Sequence, residues 1–306
     1  MTTLIVQRLG QLVFVLVALT MLIFGLMHLS GDPVTLMAGE GATLEDIERV
    51  RERMGFDQPV HVQYGRYMVG LLQGDLGTSL RQHRPVGELV IDRVPATLQL
   101  TVLAQLLAIA VAFPIGVVSA IWRNSVVDRV AMTFAVFMQA IPVFWLGIML
   151  ILIFSVGLRW TPVGGRATPE AIILPVVTLA GVFMAQNARL IRSSLLEVLS
   201  LDFVRTARSK GAPGWSVIFR HAMRNALIPL VTVLGLQFSN LLSGAVVTEL
   251  VFAWPGLGRL LVQAVLNRDV PLVLGATIII AVFVVFVNLI VDLLYGVIDP
   301  RVRTEV

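Results

Sequence analysis

Six stretches of this chain are long and apolar enough to cross a lipid bilayer, and that restricts the backbone it can use. They run approximately Leu9–Leu29, Leu98–Ile121, Val130–Phe154, Ala171–Ile191, Leu227–Val251 and Val270–Val297. A hydrocarbon core about 30 Å thick takes roughly 20 residues of helix to span. Lipid offers no partner to backbone N–H and C=O groups, so each stretch is expected to be helical. Only 14% of the 306 residues are charged, against about 25% in soluble domains. The expected fold class is therefore an all-α polytopic membrane protein with six transmembrane helices. Pro114, Pro142, Pro175 and Pro229 fall in or at the start of four spans. Kinks held by neighbouring helices are expected there, with a gating hinge as the alternative.

Arginine placement sets the orientation. With the N-terminus inside, the cytoplasmic flanks hold Arg8, Arg123, Arg129, Arg189, Arg192, Arg205, Arg208, Lys210, Arg220, Arg224, Arg301 and Arg303. The two short outer loops hold only Arg159, Arg166, Arg259 and Arg268. Both termini are thus expected in the cytoplasm. The net charge of +4 orients the chain and requires no nucleic acid. The run Met1–Leu29 exceeds a signal-peptide core of about 7–15 residues and lacks a small-residue cleavage site, so it reads as a retained anchor.

Several chemistries are excluded early. With no cysteine, there is no disulfide, thiolate metal site or cysteine nucleophile. His28, His61, His83 and His221 are scattered without metal-ligand spacing. The lone lysine, Lys210, follows Ser209, and no phosphate-cradling glycine loop precedes it. Paired carboxylates and Ser/His pairs are missing from the spans, which argues against an intramembrane enzyme. A gradient-driven transporter would want a carboxylate near the midplane, and Asp292 lies near the cytoplasmic end of its span.

The chain divides into an N-terminal span 1–29, a segment 30–97 and a core 98–306 containing a cytoplasmic loop 193–226. Segment 30–97 is patterned as a small helical subdomain. Thr43-Leu44-Glu45-Asp46 looks like a capping box, and Leu44, Ile47, Val50 and Met54 follow at helical spacing. Pro59 suits a first helical position. Tyr64, Tyr67, Met68 and Leu71 form an amphipathic stripe. A third short helix is expected over Pro85–Arg93. The stripes are expected to pack on each other or to lie at the membrane surface, with an external partner as a second role.

The loop between the fourth and fifth spans carries Arg205, Arg208, Lys210, Arg220 and Arg224 and no acid after Asp202. Gly211-Ala212-Pro213-Gly214 breaks it. Phe203, Ala207 and Lys210 share a helical face before the break. Trp215, Ile218, Phe219, Ala222 and Ala226 form an apolar stripe after it. The result is an elbow, apolar on one side and cationic on the other. It can rest on anionic lipid or dock to a partner.

At these residues the chain resembles a known family. Arg205-Thr206-Ala207-Arg208-Ser209-Lys210-Gly211, followed by His221-Ala222-Met223-Arg224-Asn225-Ala226-Leu227-Ile228-Pro229, is similar to the cytoplasmic loop of ABC importer permeases. Arg205-Thr206-Ala207 stands where the general motif has Glu-Ala-Ala, Gly211 holds its glycine, and its proline is displaced to Pro229. That departure resembles the dipeptide, oligopeptide, nickel and glutathione branch. Gly31-Asp32-Pro33, Gly74-Asp75-Leu76-Gly77, Pro95-Ala96-Thr97-Leu98, Asp299-Pro300 and the run Glu249 to Gly258 agree with it.

The resemblance implies a type I importer permease fold in a bacterial inner membrane, with the subdomain 30–97 in the periplasm. It implies a second permease, usually a different chain, two cytoplasmic ATPases holding ATP and Mg, and a periplasmic or lipid-anchored binding protein. No cofactor is implied on this chain. The loop would be the coupling helix region, seated in an ATPase cleft. Phe203, Ala207, Gly211 and Trp215 would supply anchors and turn, and Arg205, Arg208 and Lys210 charge complementarity. Thr206, His221 and Pro229 complete the motif. The solute would be peptide-like, with a nickel-type cargo as the alternative.

Other residues keep two readings. Glu249, Trp254, Pro255, Gly256 and Gly258 suit a turn with Trp254 in the aromatic belt; by resemblance they lie over the pathway entrance and meet the binding protein. Glu249 and Asp269 are expected to be hydrated. Gln139, Gln237, Asn240, Asn288 and Asp292 are polar exceptions in the spans. Hydrogen bonds between helices are one role, and for Gln139, Gln237 and Asn240 a lining of the solute pathway is the other. Arg189 and Arg192 either snorkel to the interface or meet the elbow.

Overall fold

The computed structural model describes residues 10, 13–22, 24–25, 43–54 and 57–298. Helices in chain order are α1 (Val13–Leu22), α2 (Leu44–Met54), α3 (Val60–Leu72), α4 (Val86–Ile91), α5 (Val94–Ile121), α6 (Val126–Ala140), α7 (Val143–Leu150), α8 (Ile173–Leu199), α9 (Asp202–Ser209), α10 (Ile228–Val251), α11 (Leu257–Leu266) and α12 (Val270–Ile298). Four of the described helical segments, Val86–Ile121, Pro169–Leu199, Pro229–Val251 and Val270–Leu289, are long and apolar enough to span a membrane. A fifth span arises if α6 and the helix beginning at Val143 count as one. The first expected span, Leu9–Leu29, is described mainly over α1, and the Gly31-Asp32-Pro33 and Asp299-Pro300 motifs, Arg8, Arg301 and Arg303 lie outside the described residues.

The main departure from the expected spans is in the third. Instead of one straight helix over Val130–Phe154, α6 and its successor meet at 103°. Ile141 is extended (φ −78°, ψ 124°) and Pro142 caps the next helix. The residue before a proline is pushed out of the α region, and proline has no N–H to continue the ladder. After α7 the backbone widens into a π segment, Ile151–Gly157. Pro114 is accommodated inside α5, while Pro229 sits in the first turn of α10.

The chain clusters into two compact units. One comprises 1–95 and 256–286, the other 96–255 and 287–306. In the first, Val86, Leu89 and Val90 of α4 pack with Leu257, Leu260 and Ala264 of α11 and Leu272 and Ala276 of α12. Asp269 is buried there and accepts the Ser79 hydroxyl at 2.5 Å and the Leu80 and Arg81 amides. Its expected hydration is corrected: the turn before α12 folds under the 79–81 loop, and four donors, the Leu272 amide at 3.4 Å among them, replace water. The α3 stripe also has a more definite partner than expected. Tyr64 lies edge-on to Phe24, 5.6 Å between centroids, and its hydroxyl meets Thr20 of α1 at 3.0 Å. Burial, and secondarily the Tyr64 phenol beside it, push Tyr67 up to about 12.

The second unit is organised on α8, which packs against α6, α7 and α10. Its N-terminal half meets Leu100, Ala104 and Ala108 of α5 and Leu241 and Ala245 of α10. Its other half, with Ala188, Ile191, Leu195 and Val198, meets Ala112 and Val117 of α5 and the residues after Gly214. Gly116 permits close approach: a Cβ there would lie 2.7 Å from the Ala188 carbonyl and 2.8 Å from Ile191. Arg192 reaches across to Asp128 in the first turn of α6 with two parallel bonds of 2.6 and 2.7 Å. Asp128 is buried, and also accepts the Asn124 amide at 2.9 Å.

Two outcomes follow for purified protein. Gly116→Val forces α5 off α8 and lowers the apparent Tm, an overpacking cost of about 2 kcal/mol; an unchanged Tm contradicts the close contact. Asp128→Ala strands the Arg192 guanidinium and costs about 3 kcal/mol. Adding Arg192→Met to Asp128→Ala should restore much of that loss in the same melt, whereas simple additivity of the two losses would show that the pair is not coupled.

Candidate coupling elbow and solute pathway

The loop after α8 folds as an elbow with both arms helical. Asp202 in the first turn and Arg208 in the last match the dipole of α9. Gly211, at φ +78°, ends it. The Gly211 amide donates to the Arg208 carbonyl at 2.9 Å and the Ala212 amide to the Ala207 carbonyl at 3.2 Å. Those two bonds make a Schellman cap, whose left-handed residue favours glycine. Pro213 caps the second arm, built from Gly214–Ser216, a π segment Val217–Ala222 and Met223–Ala226.

The faces of the elbow are rotated from the sequence expectation. On α9, Val204 is buried and Ala207 packs against the unit's own core, while Phe203 is 40% exposed. On the second arm Val217, Ala222, Met223 and Ala226 are buried, whereas Trp215 and Phe219 are 69% and 52% exposed. On the second arm the π segment, whose wider turn breaks a stripe read at 3.6 residues per turn, changes which residues share the core face; α9 has no such segment. The expected anchors Phe203 and Trp215 are therefore outward, and Ala207 is turned toward its own bundle. Arg205, Arg208, Lys210, Gly211 and His221 are exposed, as is Thr206, whose hydroxyl bonds back to the Asp202 carbonyl at 3.0 Å. Arg205 makes only a loose pair with exposed Asp202 at 3.6 Å. Pro229 is exposed at the foot of α10.

The run ending α10 is an inner structure. Glu249 is 0% exposed and accepts the Thr97 hydroxyl at 2.5 Å. Trp254 is 1% exposed; its indole donates to the Ala96 carbonyl at 2.9 Å, and Arg166 lies 5.7 Å from its ring centre. Expected hydration of Glu249 and an interfacial Trp254 are both corrected. The positive φ of Ala253 reverses the chain after α10 and brings the Trp254 amide to the Glu249 carbonyl at 2.8 Å, which folds the ring inward onto α5. Gly256 and Gly258 are buried and Pro255 is half-buried.

The polar residues of the spans separate. Gln139 accepts from Arg189 at 3.0 Å. Gln237 is buried and donates to Gln186 at 3.2 Å. Gln139, Gln186, Arg189 and Arg192 line one pocket of about 510 Å³ with Met132, Val136, Leu190 and Ser193. Asn240 is exposed and not among its lining residues. Ser239 donates to Asn288, as expected of a bond between helices. The Asp292 side chain lies outside the described residues. Arg189 and Arg192 both reach α6, through Gln139 and Asp128 respectively. Asp128 and Gln186 were missed in the sequence. Ser125-Val126-Val127-Asp128 was a legible helix start, with Ser125 accepting the Asp128 amide at 3.2 Å, but nothing local tied it to Arg192.

Among solved structures, the fold is similar to a methionine ABC transporter, MetNI, in an inward-facing conformation, with TM-score 0.60, 17% identity, and 69% of this chain and 96% of that chain covered. It is also similar to an amino acid ABC transporter solved with histidines, with TM-score 0.55, 19% identity, and 68% and 94% covered. These likenesses support an all-α polytopic ABC importer permease fold. In sequence, the chain is 44% identical over 300 residues to the glutathione transport system permease protein GsiC of Salmonella paratyphi A, covering 98% of each. It is 40% identical over 332 residues to the dipeptide transport system permease protein DppB of Escherichia coli, again covering 98% of each. Residues 1–101 match the model for the N-terminal part of binding-protein-dependent transport system membrane components, and residues 112–304 match the main model. The chain belongs to the family of binding-protein-dependent transport system inner membrane components.

Proposed function

We propose that this chain is a permease subunit of a bacterial ATP-driven importer for a peptide-like solute, in the class of dipeptides, oligopeptides and glutathione. The observation that carries this reading is the elbow, in a chain of this family. Three large apolar side chains, Phe203, Trp215 and Phe219, are exposed on it beside Arg205, Arg208 and Lys210. Exposed aromatic side chains and exposed cations on one elbow suit an apolar cleft with an acidic rim on a cytoplasmic ATPase. The names of the relatives support the solute class.

In this reading the chain crosses the inner membrane six times with both termini in the cytoplasm, and segment 30–97 stands in the periplasm. A second permease, two ATPases holding ATP and Mg, and a solute-binding protein complete the machine. Val204, Val217, Ala222 and Met223 root the elbow in the core around α8. When the ATPases close, the elbow then moves as a rigid lever and α8 with it, changing which side has access. Gln139 and Gln237 lie toward the pathway. The Glu249–Gly258 run acts as a buried support for the outer loop, with the binding protein meeting the surface that it holds.

The chain has no cysteine, so a single pair can test the docking. Trp215→Cys is better placed than a substitution at half-buried Ala207. In the assembled complex it should form a disulfide with a cysteine in the cleft of the co-encoded ATPase, with a yield that changes on adding ATP. No disulfide under any nucleotide condition, at any of several cleft positions, rules out the elbow as the docking element.

A further inference from the structure

We propose that Arg189 is a specificity-determining residue of the permease itself, pairing with the free carboxylate of the solute in the pocket between α6 and α8. This deepens the peptide-importer reading and rests on it. The pocket, about 510 Å³, is lined by two arginines and no acid. Arg192 is already neutralised, since both carboxylate oxygens of Asp128 face its guanidinium. Arg189 is different. Its partner is the neutral Gln139 side chain, and among the described residues it pairs with no carboxylate. Its side chain is exposed in this chain, so the guanidinium fork is open to a ligand.

The remaining polar groups favour the same kind of ligand. A guanidinium only donates, so Gln139 must present its oxygen to Arg189. Its amide NH₂ is then left to donate. Gln186 gives its oxygen to Gln237 and likewise keeps its NH₂. Ser193 has spent its proton on the Leu190 carbonyl, which leaves its oxygen as an acceptor. Three donor groups thus surround one acceptor, beside the apolar Met132, Val136 and Leu190. A carboxylate on the guanidinium fork, an adjacent peptide carbonyl on the amides and an N–H on Ser193 would use all of them. A pocket of this size holds a small peptide.

The experiment uses the permease pair with its ATPases in nanodiscs, without the binding protein, so that only the permease can discriminate. Val136→Cys places one thiol in the pocket, and its labelling by a maleimide is timed with dialanine, dialanine amide and S-methylglutathione. Half-protection is expected at about tenfold lower concentration for dialanine than for its amide. Arg189→Gln should abolish that difference, and Arg189→Lys should keep part of it. Equal protection by acid and amide overturns the proposal, and this comparison needs no Arg189 variant to fold. So does protection that survives Arg189→Gln. A wild-type complex that imports dialanine with its binding protein yet shows no protection overturns this inference alone. If it imports neither dialanine nor S-methylglutathione, the peptide reading fails, and this inference with it.

Discussion

Lipid removes the solvent that would otherwise drive helices together, so this bundle must hold by close approach and by a few polar ties. Helix α8 shows both. Gly116 lets α5 come down onto the Ala188 carbonyl, and Gly181 leaves room for Leu146 and Met138. Gly244 does the same for α10, where Leu179 fills the space a side chain would take. Polar ties then fix which neighbour sits where. Arg192 holds the start of α6 through Asp128, and Gln186 holds α10 through Gln237. Such contacts depend on distance far more steeply than apolar burial does. A bundle built on them moves in rigid blocks more readily than it deforms.

The fold was largely legible because the strongest signal, a run of apolar residues matched to membrane thickness, is local. The spans at α5, α8, α10 and α12 and the short helices α2 to α4 come straight from length, caps and periodicity. The break at Pro142 was less legible. A proline in a membrane helix is compatible with a slight kink or a full turn, and only the packing of α6 and α7 on α8 decides. Ile141 in an extended conformation has no signature beyond being the residue before that proline.

The site was legible in its residues and not in their faces. Gly211 announced the elbow, since a left-handed cap calls for glycine. The direction of Trp215 and Phe219 could not be read, because a π segment changes the angular step along the helix and leaves no mark in composition. Glu249, Trp254 and Asp269 went astray for one common reason. Each sits beside a turn, where polar and aromatic residues are usually wet, and each is instead claimed by a donor or acceptor far along the chain: Thr97, Ala96 and Ser79. The pairing of Arg189 and Arg192 with α6 is likewise a property of tertiary structure.

The 103° bend between α6 and α7 has a consequence for what surrounds it. Two helix ends meet there within an apolar stretch, and each end leaves backbone carbonyls or amides outside the helical ladder. Ala140 and Pro142 are exposed, so the described residues do not cover this break. Hydrocarbon cannot occupy that spot without heavy cost, and water or another protein surface must.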